Sequence, residues 1–150
     1  IGSFQIGAIV VVNAAGDIYE AGTGKRLAGL LSADRKQPLD SVAEMCKCLV
    51  PHDQFTGNTT IGAVFTNAAF SKAELNKIAS MTRNAYARSI SPVGTMADGD
   101  SIYAVSIGSE KVDINVAGTL AASVMQEAIR KAVESARIPE EEFVAAVQNL

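Results

Sequence analysis

Gly57-Asn58-Thr59-Thr60-Ile61-Gly62-Ala63-Val64-Phe65 runs from a polar, flexible stretch straight into an apolar segment. The apolar part predicts a strand over Thr60 to Thr66, with its beginning at a loop. Thr59 then sits at the lip of that strand, with its hydroxyl beside the peptide bond that precedes it. Such a hydroxyl can cut its own backbone. The Thr59 oxygen attacks the Asn58 carbonyl, the amide becomes an ester, and water opens the ester. Thr59 would be left as a new N-terminus carrying a nucleophile and a base in one residue. An α-amine titrates near pH 7.7–8, so a usable fraction can take the hydroxyl proton at neutral pH. An N-terminal Thr is one variant of the Ser-His-Asp arrangement. Two plainer readings stand beside this one. The stretch can be an ordinary loop-to-strand junction, with Thr chosen for β propensity. Asn58-Thr59-Thr60 is also an N-glycosylation acceptor pattern, disfavoured because no secretory signal is read ahead of it.

Working outward, Ile6 to Val12 is β-branched and nearly continuous, which predicts a strand covered on both faces. Asn13 to Asp17 reads as a turn, with Ile18 and Tyr19 as the return strand of a hairpin. Gly22-Thr23-Gly24-Lys25 lacks the spacing of a phosphate-binding loop and reads as a plain loop. Pro38 to Val50 carries helical spacing at Val42, Met45, Cys46 and Leu49. Ser71-Lys72-Ala73-Glu74 is a capping box opening a helix that runs to Ile90. Ser101 to Ile107 alternates as a strand, and Val112 to Ala136 predicts a long helix with a small-residue face at Ala117, Gly118, Ala121 and Ala122. Pro139 starts a short last helix with acids in its first turn. This order predicts one α+β domain with its two main helices on one side of the sheet.

Composition narrows the classes. The 150 residues are 48% hydrophobic and 19% charged, with a formal net charge of -3, a filled globular interior and not a disordered chain. No basic stripe points to nucleic acid, and no apolar run is long enough for a bilayer. Cys46 and Cys48 are the only cysteines and His52 the only histidine, too few for a tetrahedral zinc site. The cysteines are expected to be reduced, partly buried packing residues of a cytoplasmic protein. His52, in a Pro-flanked loop, reads as a surface or structural residue ahead of an acid–base one. The chain opens at Ile1-Gly2-Ser3 without an initiator Met, and is expected to be the later part of a longer polypeptide.

A second constellation lies at Ala97-Asp98-Gly99-Asp100-Ser101. Residues i and i+2 of an extended segment point the same way, so both acids are expected to face one spot at the sheet's end. Two close carboxylates raise one another's pKa unless a cation or donors intervene. They are too few for a calcium loop, and alone the triplet would be a polar turn.

With both constellations together, the chain resembles the DmpA-like aminopeptidase family of self-processing N-terminal nucleophile hydrolases. The resemblance is nearest the endo-type 6-aminohexanoate oligomer hydrolase branch. It covers about Gly7 to Ala136, is most specific at Gly57 to Ile61, and extends through Ser71 to Leu75 and Met96 to Asp100. It implies a four-layer αββα sandwich, of which this chain supplies about half. It implies a cut between Asn58 and Thr59, leaving residues 1–58 as the tail of an α chain and 59–150 as a β chain. Thr59 matches the nucleophile, and Asn13 is similar in place to an Asn that helps hold the oxyanion. Asp98 and Asp100 look like the acidic pair that orients the nucleophile's amine and hydroxyl. The β-peptidyl branch carries Ser and Glu at that pair. The resemblance further implies a peptide or amide substrate, the remaining N-terminal part of the precursor as partner, homo-oligomers of αβ units, and no cofactor. The alternatives are an uncleaved scaffold or small-molecule binding protein of the same fold and, more remotely, a self-cutting acyltransferase of the ornithine acetyltransferase type. The motif of that last class is not what stands around Asn58 and Thr59.

Overall fold

The computed structural model describes residues 1–49 and 57–148. In chain order its elements are β1 (Ile6–Asn13), β2 (Asp17–Tyr19), β3 (Arg26–Ala28), α1 (Ser41–Lys47), β4 (Thr59–Ala68), α2 (Lys72–Thr82), α3 (Asn84–Ser89), β5 (Ile90–Ser91), β6 (Ser101–Glu110), α4 (Ile114–Ser135) and α5 (Glu140–Gln148). They form a mixed α/β structure with two three-stranded sheets, ordered β1-β4-β6 and β3-β2-β5.

β4 is the central strand of the main sheet, antiparallel to β1 and parallel to β6. Parallel neighbours need a crossover of a dozen or more residues, which α2 and α3 supply between β4 and β6. Period-two alternation sorts β4 into two faces. Thr60, Val64, Thr66 and Ala68 are buried beneath the helices, whereas Ile61 and Phe65 stand on the other side and are exposed. The inner face packs on α4 and α2 through Ile78, Ala117, Ala121, Met125 and Ile129, so both main helices do lie on one side. Their close approach depends on small residues. A Cβ on Gly118 of α4 would stand 2.4 Å from Met81 Sδ of α2, and one on Gly62 of β4 would stand 2.7 Å from Met125 Cε and from the Tyr86 hydroxyl.

The local signals explain most element ends. Ser71 Oγ accepts from the Glu74 N–H while the Glu74 carboxylate accepts from the Ser71 N–H at 2.7 Å, the reciprocal capping box expected. The Asp113 carboxylate caps α4 through the Asn115 and Val116 N–H groups. On the exposed flank of α4, Glu127 pairs with Lys131 at 3.5 Å as its spacing predicts, and also with Arg130.

Five expectations need correcting. Ile18 and Tyr19 do not return along β1. They pair with β3 and β5 in the second sheet, while β1 takes β4 as its neighbour. The reason is a long-range contact: a Cβ on Gly16 would stand 2.3 Å from the Pro92 carbonyl, so the bare backbone there lies on the Ser91-Pro92 segment, and Asp17 pairs with Ser91. The helix read through to Ile90 divides at Arg83 into α2 and α3. Thr82 lies at the break, its Oγ donating to the Ile78 carbonyl at 2.8 Å, a back-bond that bends helices. The helix read over Pro38 to Val50 is shorter, and Val42, Met45 and Leu49 are exposed. Cys46 and Cys48 are free but exposed, not partly buried. His52 lies outside the described residues. Among the described residues β1 is covered on one face only, with Ile9 and Val11 exposed on the other.

Candidate active site

The register of the main sheet gathers all four candidate side chains at one end of it. Asn13, the last residue of β1, is the Cα partner of Thr59, the first residue of β4. On the opposite side, Asn58 forms a parallel bridge with Asp98, and β6 begins at Ser101, opposite Ile61. Thr59 thus stands at the end of the central strand, between Asn13 and the Asp98-Gly99-Asp100 turn.

The hydrogen bonds around the Asn58–Thr59 peptide bond are specific. Thr59 Oγ donates to the Asn58 carbonyl oxygen at 2.7 Å. That same oxygen accepts from the Gly99 N–H at 2.9 Å. One residue earlier, Asn13 Nδ2 donates to the Gly57 carbonyl at 3.0 Å. One residue later, the Thr60 N–H donates to Asp100 Oδ1 at 2.7 Å. The backbone from Gly57 to Thr60 is therefore clamped from both neighbouring strands, with the nucleophile candidate in the middle.

The two acids lie close but are held differently. Asp98 Oδ2 accepts from the Thr95 N–H at 2.7 Å and from Thr95 Oγ at 2.9 Å, which closes the loop before it. Asp100 lines a cavity of about 250 Å³ with Ser80, Arg83, Tyr86 and Ile102. Burial pushes the Asp100 carboxyl above its ordinary value, and the charge of Asp98 pushes it further, while the Thr60 N–H and Arg83 pull it back. Tyr86, buried below the strand end, keeps its proton because burial raises its phenol, with Asp100 adding to the effect. Its hydroxyl lies 3.4 Å from both the Thr60 and Ser101 carbonyls, bridging β4 and β6 beside the site.

Sequence reasoning named Asn13, Asn58, Thr59, Asp98 and Asp100, and these converge. It passed over Gly99, Thr95, Tyr86 and Arg83. Gly99 carried a signal, a glycine between two acids, which marks close backbone approach. A Cβ there would stand 2.7 Å from Thr59 Oγ. Tyr86 and Arg83 carried none, because their meeting with Asp100 is made between residues well apart in the sequence. A concavity of about 970 Å³ lies between β1, β3 and the C-terminal end of α4, and Asn13 is among its lining residues. Among the described residues no group of His, Cys, Asp and Glu is arranged to hold a metal ion, and no helix is long and apolar enough to cross a membrane.

Known proteins are similar to this chain in sequence. Residues 1–143 match the pattern of the family described as peptidase family S58. An uncharacterized aminopeptidase of Mycobacterium bovis is 35% identical over 112 residues, covering 71% of this chain and 33% of that protein. The 6-aminohexanoate-oligomer endohydrolase of Agromyces sp. is 34% identical over 149 residues, covering 88% of this chain and 41% of that protein. A protein of the same name from Kocuria sp. is 31% identical over 150 residues, covering 89% of this chain and 42% of its own length. The chain spans 29% to 48% of the curated relatives it matches at similar strength. These matches bear out the resemblance drawn from Gly57 to Ile61 and the acid pair: the chain belongs to peptidase family S58.

Proposed function

We propose that this chain is part of an amide-bond hydrolase that cuts itself between Asn58 and Thr59 and then uses Thr59 as its N-terminal nucleophile. One observation carries the reading: the Thr59 hydroxyl lies 2.7 Å from the carbonyl oxygen of the bond to be broken. Proximity of that kind converts an improbable encounter into an intramolecular step. Thr59 Oγ adds to the Asn58 carbonyl carbon, the C–N bond breaks, and the hydroxyl proton ends on the departing Thr59 nitrogen. Water then opens the ester, giving an Asn58 carboxylate and a Thr59 with free amine and hydroxyl.

The second reaction repeats the first on a substrate. Thr59 Oγ attacks an amide carbonyl, the Thr59 amine takes its proton and returns it to the leaving nitrogen, and water resolves the acyl-enzyme. Asp98 and Asp100 orient the amine, and Asn13 helps to hold the oxyanion. A balance is expected, since too strong a carboxylate pairing would raise the amine's pKa and weaken it as a base. The relatives' names support a peptide or oligoamide substrate.

The same reading gives the exposed side of the main sheet a partner. Ile9, Val11, Ile61, Phe65, Tyr103 and Ile107 are exposed together on β1, β4 and β6, an apolar surface larger than a lone soluble sheet leaves open. In the four-layer αββα sandwich it packs on a second sheet from the remaining part of the precursor. Assembly of αβ units and a cytoplasmic location belong to this proposal.

The test is the denatured mass of the full-length polypeptide and of its Thr59→Ala variant. A fragment beginning at Thr59 is expected in the first and none in the second, with amide hydrolysis lost alongside. A Thr59→Ala protein that is still cut and active would refute the reading, and an intact parent chain would favour an uncleaved scaffold.

A further inference from the structure

Among the described residues the Asn58 carbonyl oxygen accepts from the Thr59 hydroxyl and the Gly99 N–H, at 2.7 and 2.9 Å. Only one of them survives the attack. When Thr59 Oγ bonds to the carbonyl carbon it stops donating to the oxygen, just as that oxygen acquires negative charge. Asn13, the side chain the family resemblance nominates for oxyanion binding, gives its Nδ2 proton to the Gly57 carbonyl, one peptide upstream.

We infer that the Gly99 main-chain N–H is the oxyanion donor of the self-cleavage step, a catalytic contact made by the residue between the two acids. This rests on the reading of Thr59 as the self-cutting nucleophile. As the carbonyl carbon becomes tetrahedral, the C=O electron pair moves to oxygen and the charge develops on the atom that already accepts from Gly99. The donor is in place before the reaction, so no reorganisation is required. The C–N bond then breaks as the Thr59 hydroxyl proton passes to its nitrogen, and the oxygen becomes the carbonyl of the ester.

A sheet would make this hydrogen bond for its own reasons, since Asn58 and Asp98 bridge at the end of the β4·β6 ladder. Two features set it apart from an ordinary rung. It is made to the one carbonyl beside the nucleophile candidate, and the donor residue has no side chain where one would obstruct that nucleophile. A Cβ on Gly99 would lie 2.7 Å from Thr59 Oγ and 3.8 Å from the Asn58 oxygen. An N–H aimed at the oxygen and open space at the hydroxyl thus come from a single residue. The flanking acids fasten it, Asp98 through Thr95 and Asp100 through the Thr60 N–H.

The experiment follows self-cleavage of the full-length polypeptide made by cell-free translation, with Gly99 replaced by glycolic acid. That change turns the Asp98–Gly99 amide into an ester and deletes the N–H while adding no bulk. Appearance of the fragment beginning at Thr59 is timed by mass spectrometry, and folding is read from thermal melts. Cleavage is expected to slow by about 100- to 1,000-fold, the loss typical of one oxyanion donor. Gly99→Ala keeps the amide but sets a Cβ against Thr59 Oγ, so it is expected to slow cleavage for a steric reason and reports only that close approach. The ester variant is compared with the parent at a temperature where the melts show both folded, and cutting at the parental rate there overturns the inference. If Thr59→Ala is also cut, the underlying reading fails with it; if only the ester variant cuts normally, Thr59 keeps its role and Gly99 loses this one.

Discussion

Two carboxylates, Asp17 buried in the second sheet and Asp100 half-buried at the end of the main one, show how differently this fold treats the same group. Asp17 opens β2 and is 1% exposed. It accepts from Arg26 at 2.8 Å, the Leu30 N–H at 3.0 Å, the Ser41 N–H at 2.9 Å and Ser41 Oγ at 2.7 Å. Burial alone would push it up, but the Ser41 bonds, the Leu30 N–H and the Arg26 charge together hold it below the ordinary carboxylate range. Asp100 takes one main-chain N–H, from Thr60, and sits near a second acid, so burial prevails and its pKa rises. A carboxylate wrapped in donors is a fastener. A carboxylate short of donors, at a strand end beside a hydroxyl, is chemically available.

The largest break in that contrast is Asp17→Ala. It strands the Leu30 and Ser41 N–H groups and the Arg26 guanidinium near buried backbone, and is expected to cost about 3–5 kcal/mol, read as a large fall in melting temperature. Acid sharpens the contrast next. Asp17, depressed in the fold, contributes stability above the ordinary Asp value of about 3.9 that is lost as pH falls through its lower folded pKa. Asp100, raised in the fold, has the opposite sign: stability declines as pH climbs from about 3.9 toward its higher folded value. Melts from pH 2 to 7 should therefore show an acid arm that shrinks in Asp17→Asn, part of it remaining with Asp34, Glu74 and Glu127, and a milder decline above about pH 3.9 that vanishes in Asp100→Asn. The smallest expected stability effect is that of Asp100→Asn itself at pH 7. Its melting temperature should match or slightly exceed the parent's, because an amide oxygen can still accept from Thr60, while amide hydrolysis falls steeply. A loss of several degrees there would make Asp100 a fastener too.

How much of this was legible beforehand follows from the range of each signal. β4, β6 and α4 were readable because period-two and small-residue patterns are carried by neighbouring residues. The capping box at Ser71 was readable for the same reason. Thr59 and the Asp98–Asp100 pair stood out because their chemistry is concentrated in a few positions. The partner of β1 was not readable, since a short turn before Ile18 looks the same whether the chain folds back or crosses to a second sheet. Asp17 looked like any turn aspartate beside a glycine. Its donors arrive from 13 and 24 residues away, and nothing local announces them. Gly99 was visible as a residue but not as a donor, because a main-chain N–H has no letter of its own.

The antiparallel ladder between β1 and β4 crosses the Asn58–Thr59 bond, joining Ile6 through Asn13 to Thr66 through Thr59 in continuous register. Breaking one covalent link there would leave two polypeptides zipped along a whole strand, with α4 still seated on β1. Such a nicked molecule should migrate as a single particle in any native separation and come apart only in denaturant. Maturation of this kind would alter the chemistry of one residue while leaving the architecture around it undisturbed.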